Sequence, residues 1–119
     1  MGDAPLSAPV FQILLSLADA DLHGYAIIQD VAERTGGDVR LTASTLYAAV
    51  KRLLDAGWIG ELPDHARPED DDARRRYYRL TPLGRRVVRA EARRLERLTA
   101  MAREKRLLPP LPPLPGDGA

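Results

Sequence analysis

The first part of the chain has the hydrophobic pattern of two helices. Nearly all residues from 9 to 18 are apolar, and Ser7 precedes this run as an N-cap residue. Positions 21–37 then place apolar residues at three-to-four spacing, which predicts an amphipathic helix that Gly24 begins and Gly36 ends. A helix that is apolar on most sides has to be covered on most sides, so the first helix indicates a partner subunit.

A third helix has the clearest boundary signals. Thr42 is a good N-cap residue, and Gly57 stands where a C-terminal glycine belongs. Leu41 and Leu46 flank the cap as a hydrophobic staple. We expect the apolar stripe of this helix to face the core. The opposite face carries small or hydrogen-bonding side chains and one cation, namely Ser44, Thr45, Tyr47, Ala48 and Lys51.

Two segments after this helix have the pattern of short strands. They are WIGEL at 58–62 and RRRYYRL at 74–80, and a polar loop at 63–73 joins them. In the second strand Tyr78 and Leu80 share one face, and the other face carries Arg75, Tyr77 and Arg79. The pattern predicts a two-stranded hairpin with a long loop.

The last predicted helix is much longer than the others. Thr81 and Pro82 are an N-cap and a first-turn proline, and the helix can run to Leu107, roughly 39 Å at the usual rise. One seam has near-heptad spacing and consists of Val88, Leu95, Leu98 and Ala102. Such a seam either packs on its own domain or forms a coiled-coil-like contact with a second copy, and the length of the helix favours the second copy.

Three helices, a hairpin and a long helix follow the plan of a winged helix-turn-helix protein, mainly α with a small β-hairpin (α+β). We predict a winged-helix DNA-binding domain at 1–81, a dimerisation helix at 82–107 and a proline-rich tail at 108–119. In this plan the third helix enters the major groove of DNA and the hairpin forms the wing.

The charge distribution agrees with contact to nucleic acid. Residues 1–73 hold 13 acidic and 5 basic side chains, whereas residues 74–106 hold 13 basic and 3 acidic ones. A strongly basic half is an electrostatic footprint of DNA binding, although a solvated arginine face gives the same pattern. Within it, Arg74, Arg75 and Arg76 are expected to contact phosphates, or else to pair with the acidic run at 69–72.

The sequence offers little for an enzyme or a metal site. Cysteine is absent, and neither His23 nor His65 stands in a metal-ligand pattern. There is no serine–histidine elbow, phosphate loop or GxGxxG run, so we predict no catalysis and no cofactor. The N-terminus has no basic segment before its apolar run and no apolar stretch approaches membrane-spanning length, so we expect a cytoplasmic protein.

Two further features leave alternatives open. Trp58, the single tryptophan, either lines a pocket for a small aromatic effector or, more commonly for such a residue, anchors the hairpin to the core. The stretch 106–112, RLLPPLP, has the form of a basic residue followed by PxxP, the ligand type of proline-binding grooves. Its other interpretation is a helix stop with an unstructured tail.

Taken together, residues 10–90 resemble the PadR family of transcriptional regulators. The resemblance rests on the apolar first helix and on four short motifs in order, His23-Gly24-Tyr25, Thr45-Leu46-Tyr47, Gly57-Trp58-Ile59 and Arg76-Tyr77-Tyr78-Arg79-Leu80-Thr81 with Gly84. It implies a winged helix with a C-terminal dimerisation helix that packs beside Phe11 and Leu14 of the partner. Ala48 stands where the family commonly has proline.

The resemblance also implies repression of nearby genes, often relieved by a small molecule. We therefore expect a homodimeric repressor that binds a palindromic operator in double-stranded DNA, with a small aromatic molecule as the candidate effector. The competing hypothesis is a winged helix used only for protein contacts, which the acidic first half of the chain favours.

Overall fold

The computed structural model of the chain describes residues 5–63, 66 and 75–115. In chain order, the elements of this part are α1 (Ala8–Ser16), β1 (Leu22–His23), α2 (Gly24–Arg34), α3 (Ala43–Ala56), β2 (Ile59–Glu61), β3 (Tyr77–Leu80) and α4 (Pro82–Glu104). The predicted DNA contact Arg74, the acidic run at 69–72 and His65 lie outside the described residues. No helix in the described part has both the length and the apolarity to cross a membrane.

Local capping chemistry sets the starts of three helices where the sequence predicts them. Ser7 accepts a hydrogen bond from the Val10 amide at 3.3 Å, at the start of α1. Thr42 accepts from the Thr45 amide at 3.1 Å and begins α3. Thr81 caps α4, with Pro82 in the first turn. Each bond satisfies an amide that has no partner within its helix.

The core lies between α1, α2 and α3, with one side of the sheet and the start of α4 against it. Its largest fully buried side chains are Ile13, Leu14, Ile27, Val31 and Leu46. A polar network closes the outer edge of the α1–α2 contact. Ser16 donates to the Asp30 carboxylate at 2.7 Å, and Arg34 donates to the same carboxylate at 2.8 Å. The two helices are thereby joined by packing and by charge-assisted hydrogen bonds.

The sheet has three strands, one more than the predicted hairpin. The hairpin is present, with Ile59 of β2 opposite Leu80 of β3, but β1 pairs with the other edge of β3. In β1, His23 lies opposite Tyr77, and its ring meets the Tyr77 ring edge-on at 5.2 Å between centroids. Tyr77, which the sequence places on one strand face with Arg75 and Arg79, is buried there with the His23 ring against it.

Helix α4 packs on the domain along its first half only. Gly84 lies against the backbone carbonyl of Trp58, and Val88 is part of the core. At Glu91 the buried carboxylate is held by two hydrogen bonds from Arg94, at 2.7 and 2.8 Å, which lower the pKa of Glu91. The helix ends at Glu104, three residues before the predicted end.

Candidate nucleic-acid interface

The outer face of α3 carries the residues that the sequence assigns to DNA. Ser44, Thr45 and Lys51 are exposed, and the side chain of Tyr47 is 50% exposed. The inner face is buried through Leu46, Ala49, Val50 and Leu53. The hydroxyl of Thr45 also accepts a hydrogen bond from the Thr42 hydroxyl at 2.9 Å, so the cap orients this side chain. The first turn of α3 therefore presents small polar groups on a rigid element.

Tyr47 lies directly over the start of α2. A Cβ added at Gly24 would overlap the Tyr47 hydroxyl and would come within 3.1 Å of Cδ2 of Leu46. The absence of a side chain at Gly24 thus lets the phenol ring settle against the first turn of α2. The contact connects two helices through residues that belong to separate sequence motifs.

His23 caps α2 through its imidazole ring. Its Nδ1 accepts a hydrogen bond from the Ala26 amide at 3.2 Å, so the neutral ring carries its proton on Nε2. The same Nε2 lies 3.4 Å from Nη1 of Arg75, at the entrance to β3. Pairing of β1 with β3 brings these two residues together across 52 positions of sequence.

These groups surround an open cleft of about 420 Å³. Its lining consists of His23, Gly24, Tyr25, Tyr47, Arg75, Arg76 and Tyr78. Arg76 is exposed and forms a long ion pair with Glu61, with 4.0 Å between Nη1 and Oε1. Burial raises the pKa of Tyr78, whose hydroxyl therefore stays protonated at neutral pH. Guanidinium groups, ring N–H groups and hydroxyls around a cleft can donate several hydrogen bonds to one anion.

The cleft brings together some of the predicted DNA-contact residues and also contains residues that were not predicted. Tyr47, Arg75 and Arg76 were predicted and line it, whereas Ser44, Thr45 and Lys51 lie on the adjoining face of α3. His23, Tyr25 and Tyr78 also line the cleft, and the sequence analysis did not include them among the candidate site residues. The signal for His23 was available, because a residue before a helix-opening glycine is a candidate N-cap.

The predicted dimerisation residues fall into two groups. Leu14 and Val88 belong to the core of their own chain, and Phe11 is half-buried against it. Leu95 and Ala102 are only partly covered, and Leu98 is 45% exposed. The neighbouring Met101 is 57% exposed. The apolar seam of α4 therefore continues past the part of the domain that covers it.

The helix order, the capped third helix and the flanking antiparallel sheet define a winged helix-turn-helix fold. A family model described as the transcriptional regulator PadR-like family matches residues 13–90. The chain belongs to this family, as its sequence motifs indicate. Members of the family are transcription regulators rather than enzymes, and in the described residues no group of three or more candidate metal ligands occurs.

Individual similar proteins include a sequence relative and solved structures. An uncharacterized 37.1 kDa protein in transposon Tn4556 of Streptomyces fradiae is 37% identical over 87 residues, 73% of this chain. The chain spans only 23% of the length of that relative. A PadR family regulator from Clostridium difficile shares the fold, with a TM-score of 0.69 and 24% identity over 82% of this chain and 97% of its own.

A second similar structure was solved with DNA. It is Bacillus subtilis PadR in complex with operator DNA, which matches with a TM-score of 0.61 and 21% identity. The match covers 95% of this chain and 52% of that one. At this identity the likeness concerns the fold.

Proposed function

We propose that the chain binds double-stranded DNA in a sequence-specific manner and acts as a homodimeric repressor. The observation that carries the proposal is the cleft that Tyr47 of α3, Arg75 and the capped start of α2 line together. Ser44 and Thr45, on the first turn of α3, reach base edges in the major groove. Lys51, Arg75 and Arg76 contact the phosphate backbone and supply salt-dependent affinity.

The cleft suits a backbone phosphate because its donors converge. In the neutral His23 ring Nε2 is a donor, and Arg75 has only donors to offer. An oxygen acceptor placed beside both groups, which are 3.4 Å apart, accepts a hydrogen bond from each. The start of α2 adds the positive end of a helix dipole to the same place. A phosphate in the cleft then fixes the depth at which α3 enters the groove.

The likeness to Bacillus subtilis PadR, which was solved with operator DNA, supports this assignment at the level of the fold. In helix-turn-helix proteins the second helix of the motif lies in the major groove, and dimers place two such helices about 34 Å apart. Here α3 is that helix. A two-fold dimer of this chain would accordingly bind a palindromic operator.

The distal half of α4 is the surface that we assign to the dimer. Leu95, Leu98 and Ala102 form a continuous stripe with Met101 beside them, and within the described part of the chain Leu98 and Met101 are exposed while Leu95 and Ala102 are partly covered. An antiparallel or crossed pair of α4 helices would bury it through coiled-coil-like packing. Phe11, half-buried at the side of α1, lies at the edge of the same surface in this proposal. Leu14 and Val88 serve the core instead.

A DNA titration tests the proposal. The protein is titrated with a duplex from its own promoter region and with a random duplex of equal length, at about 50 and 200 mM salt. We expect tighter binding to the promoter duplex and a steep salt dependence on both. Lys51→Ala and Arg75→Ala should each reduce the salt slope by about 2 per dimer, since one phosphate contact is lost in each subunit.

The matched control is Lys105→Ala, which removes the same charge at the far end of α4. It should leave the salt slope and the ratio of the two affinities unchanged. The proposal would be contradicted if the folded protein bound neither duplex. It would also be contradicted if the protein bound both duplexes equally and the Lys51→Ala and Arg75→Ala variants kept the wild-type salt slope. That result would favour a winged helix that contacts proteins alone.

A further inference from the structure

The segment after α4 repeats a Leu-Pro-Pro unit from Leu108 to Pro115. Each proline fixes its own φ, and each residue before a proline is pushed out of the helical region. All eight residues are subject to at least one of these constraints, so covalent geometry favours polyproline II. Such a helix rises about 3.1 Å per residue with about three residues per turn.

Because the Leu-Pro-Pro repeat is three residues long and polyproline II has three residues per turn, equivalent positions of the repeat lie on the same face of the helix. The leucine face consists of Leu108, Leu111 and Leu114, and Pro109, Pro112 and Pro115 form the adjacent face. The third face holds Pro110 and Pro113. Leu111 and Leu114 are 69% and 78% exposed, so their side chains are open to a partner. The segment is a preformed ligand with little conformational entropy left to lose.

The turn that leads into this segment contains an arginine where glycine is usual. Arg106 has a φ of 64°, and the Leu107 amide donates to the Ala102 carbonyl at 2.9 Å, which is the Schellman pattern. Helices α2 and α3 end with the same pattern around Gly36 and Gly57. A non-glycine residue in this conformation is strained. The side chain of Arg106 is exposed, so its guanidinium group is accessible to a partner.

A further contact fixes the direction of the tail. Nε of Arg103 donates to the Pro109 carbonyl at 3.0 Å, so the first Leu-Pro pair is tied to the last turn of α4. The leucine and proline faces beyond it extend away from the helix end. Arg106 thus stands at one end of a rigid apolar ligand.

We propose that Arg106–Pro115 is a docking ligand for a partner protein with an aromatic-lined groove and an acidic pocket at one end. Aromatic grooves that bind polyproline II accept Leu-Pro pairs between their rings, and the acidic pocket takes the arginine. A second copy of this chain is a poor occupant, because the cleft that contains its exposed Tyr25 and Tyr47 also contains Arg75 and Arg76 and would repel Arg106. The proposal does not depend on DNA binding.

The test uses full-length protein and a generic receptor of this chemistry. An isotope-labelled SH3 domain that binds basic PxxP ligands is titrated with the unlabelled protein, and its groove resonances are followed by NMR. We expect saturable shifts at the groove. Pro109→Ala/Pro112→Ala should abolish them, and Arg106→Gly should weaken binding by about tenfold or more through loss of a charged hydrogen bond.

The control is Pro110→Ala/Pro113→Ala, which removes the same number of prolines from the face that points away from the groove. It should retain binding within about threefold, since only the stiffness of the segment changes. Absence of groove shifts with the wild-type protein, or equal binding by the two double variants, would overturn the proposal. A variant truncated after Arg106 would then identify the other occupant. If the wild-type chain leaves the receptor unperturbed and the truncated chain self-associates more weakly than the wild type, the tail binds a second copy, and the proposal is wrong.

Discussion

Substitution of Gly24 by alanine should displace the Tyr47 side chain and leave the stability of the fold nearly unchanged. A Cβ at this site overlaps the Tyr47 hydroxyl, which is the end of a half-exposed side chain and can move outward. The backbone itself is not obstructed, and alanine is the better helix former by about 0.5 to 1 kcal/mol. The tight approach to Leu46 offsets part of that gain. We expect the free energy of unfolding to change by no more than about 1 kcal/mol.

The effect on DNA binding should be much larger. If the Tyr47 hydroxyl donates one hydrogen bond to DNA in each subunit, its displacement costs about 1 kcal/mol per subunit. For a dimer on a two-fold operator the loss is about 2 kcal/mol, which corresponds to about 30-fold in affinity. The loss should be similar to that of Tyr47→Phe, which removes the same hydroxyl and keeps the ring.

A double-mutant cycle provides the decisive assay. Operator affinity is measured by fluorescence anisotropy for the wild type, Gly24→Ala, Tyr47→Ala and the double variant, and urea unfolding is measured on all four. We expect the Gly24→Ala penalty to vanish once Tyr47 is absent. Gly60→Ala is the control, because a Cβ there would make only an ordinary contact, 3.9 Å from Cγ2 of Thr81. If Gly24→Ala lowers operator affinity as much in the Tyr47→Ala background as in the wild type, then Gly24 does not act through Tyr47.

Three further predictions concern α4, the polar network and the junction of wing and helix. Leu98→Glu should weaken self-association by at least about tenfold in sedimentation equilibrium, since it places a charge in the proposed seam, and Ala100→Glu on the opposite face should not. Hydrogen bonds from Ser16 and Arg34 lower the pKa of Asp30, so its stabilisation is present above the unfolded-state pKa and is lost as pH falls. Asp30→Asn should therefore flatten the loss of unfolding free energy below about pH 5 in urea titrations repeated across pH, and an unchanged wild-type slope in this variant would contradict the prediction. Gly84→Ala should destabilise the fold by about 3 kcal/mol in urea titrations followed by Trp58 fluorescence, because the new Cβ meets the Trp58 backbone, and stability within about 1 kcal/mol of wild type would contradict this.

Much of the fold could be predicted because its boundaries depend on neighbouring residues. The caps at Ser7, Thr42 and Thr81 are hydrogen bonds across three positions, and the left-handed turn at Gly57 is a property of glycine. The face of α3 follows from its own periodicity. Such features need no knowledge of the rest of the chain, so a pattern of residue types is sufficient to find them.

The features that could not be predicted depend on distant pairing. Strand β1 has two residues, too few to show an alternation, and it pairs with β3, more than 50 positions away. The burial of Tyr77 depends on the same pairing, which places His23 beside it. Arg106 occupies a position where the usual signal is glycine, so the local pattern placed the end of α4 three residues too late. Which residues of the α4 seam are buried in their own domain and which are left exposed also depends on how far the domain extends along the helix.

His23 of the short strand β1 connects the sheet, the start of α2 and Arg75 of the candidate site. The backbone of His23 belongs to the sheet, its Nδ1 caps α2, and its Nε2 faces Arg75. A movement of β3 therefore shifts His23, and with it the first turn of α2 on which Tyr47 rests. We therefore expect a ligand that moves β3 to shift the position of Tyr47 on α3 as well.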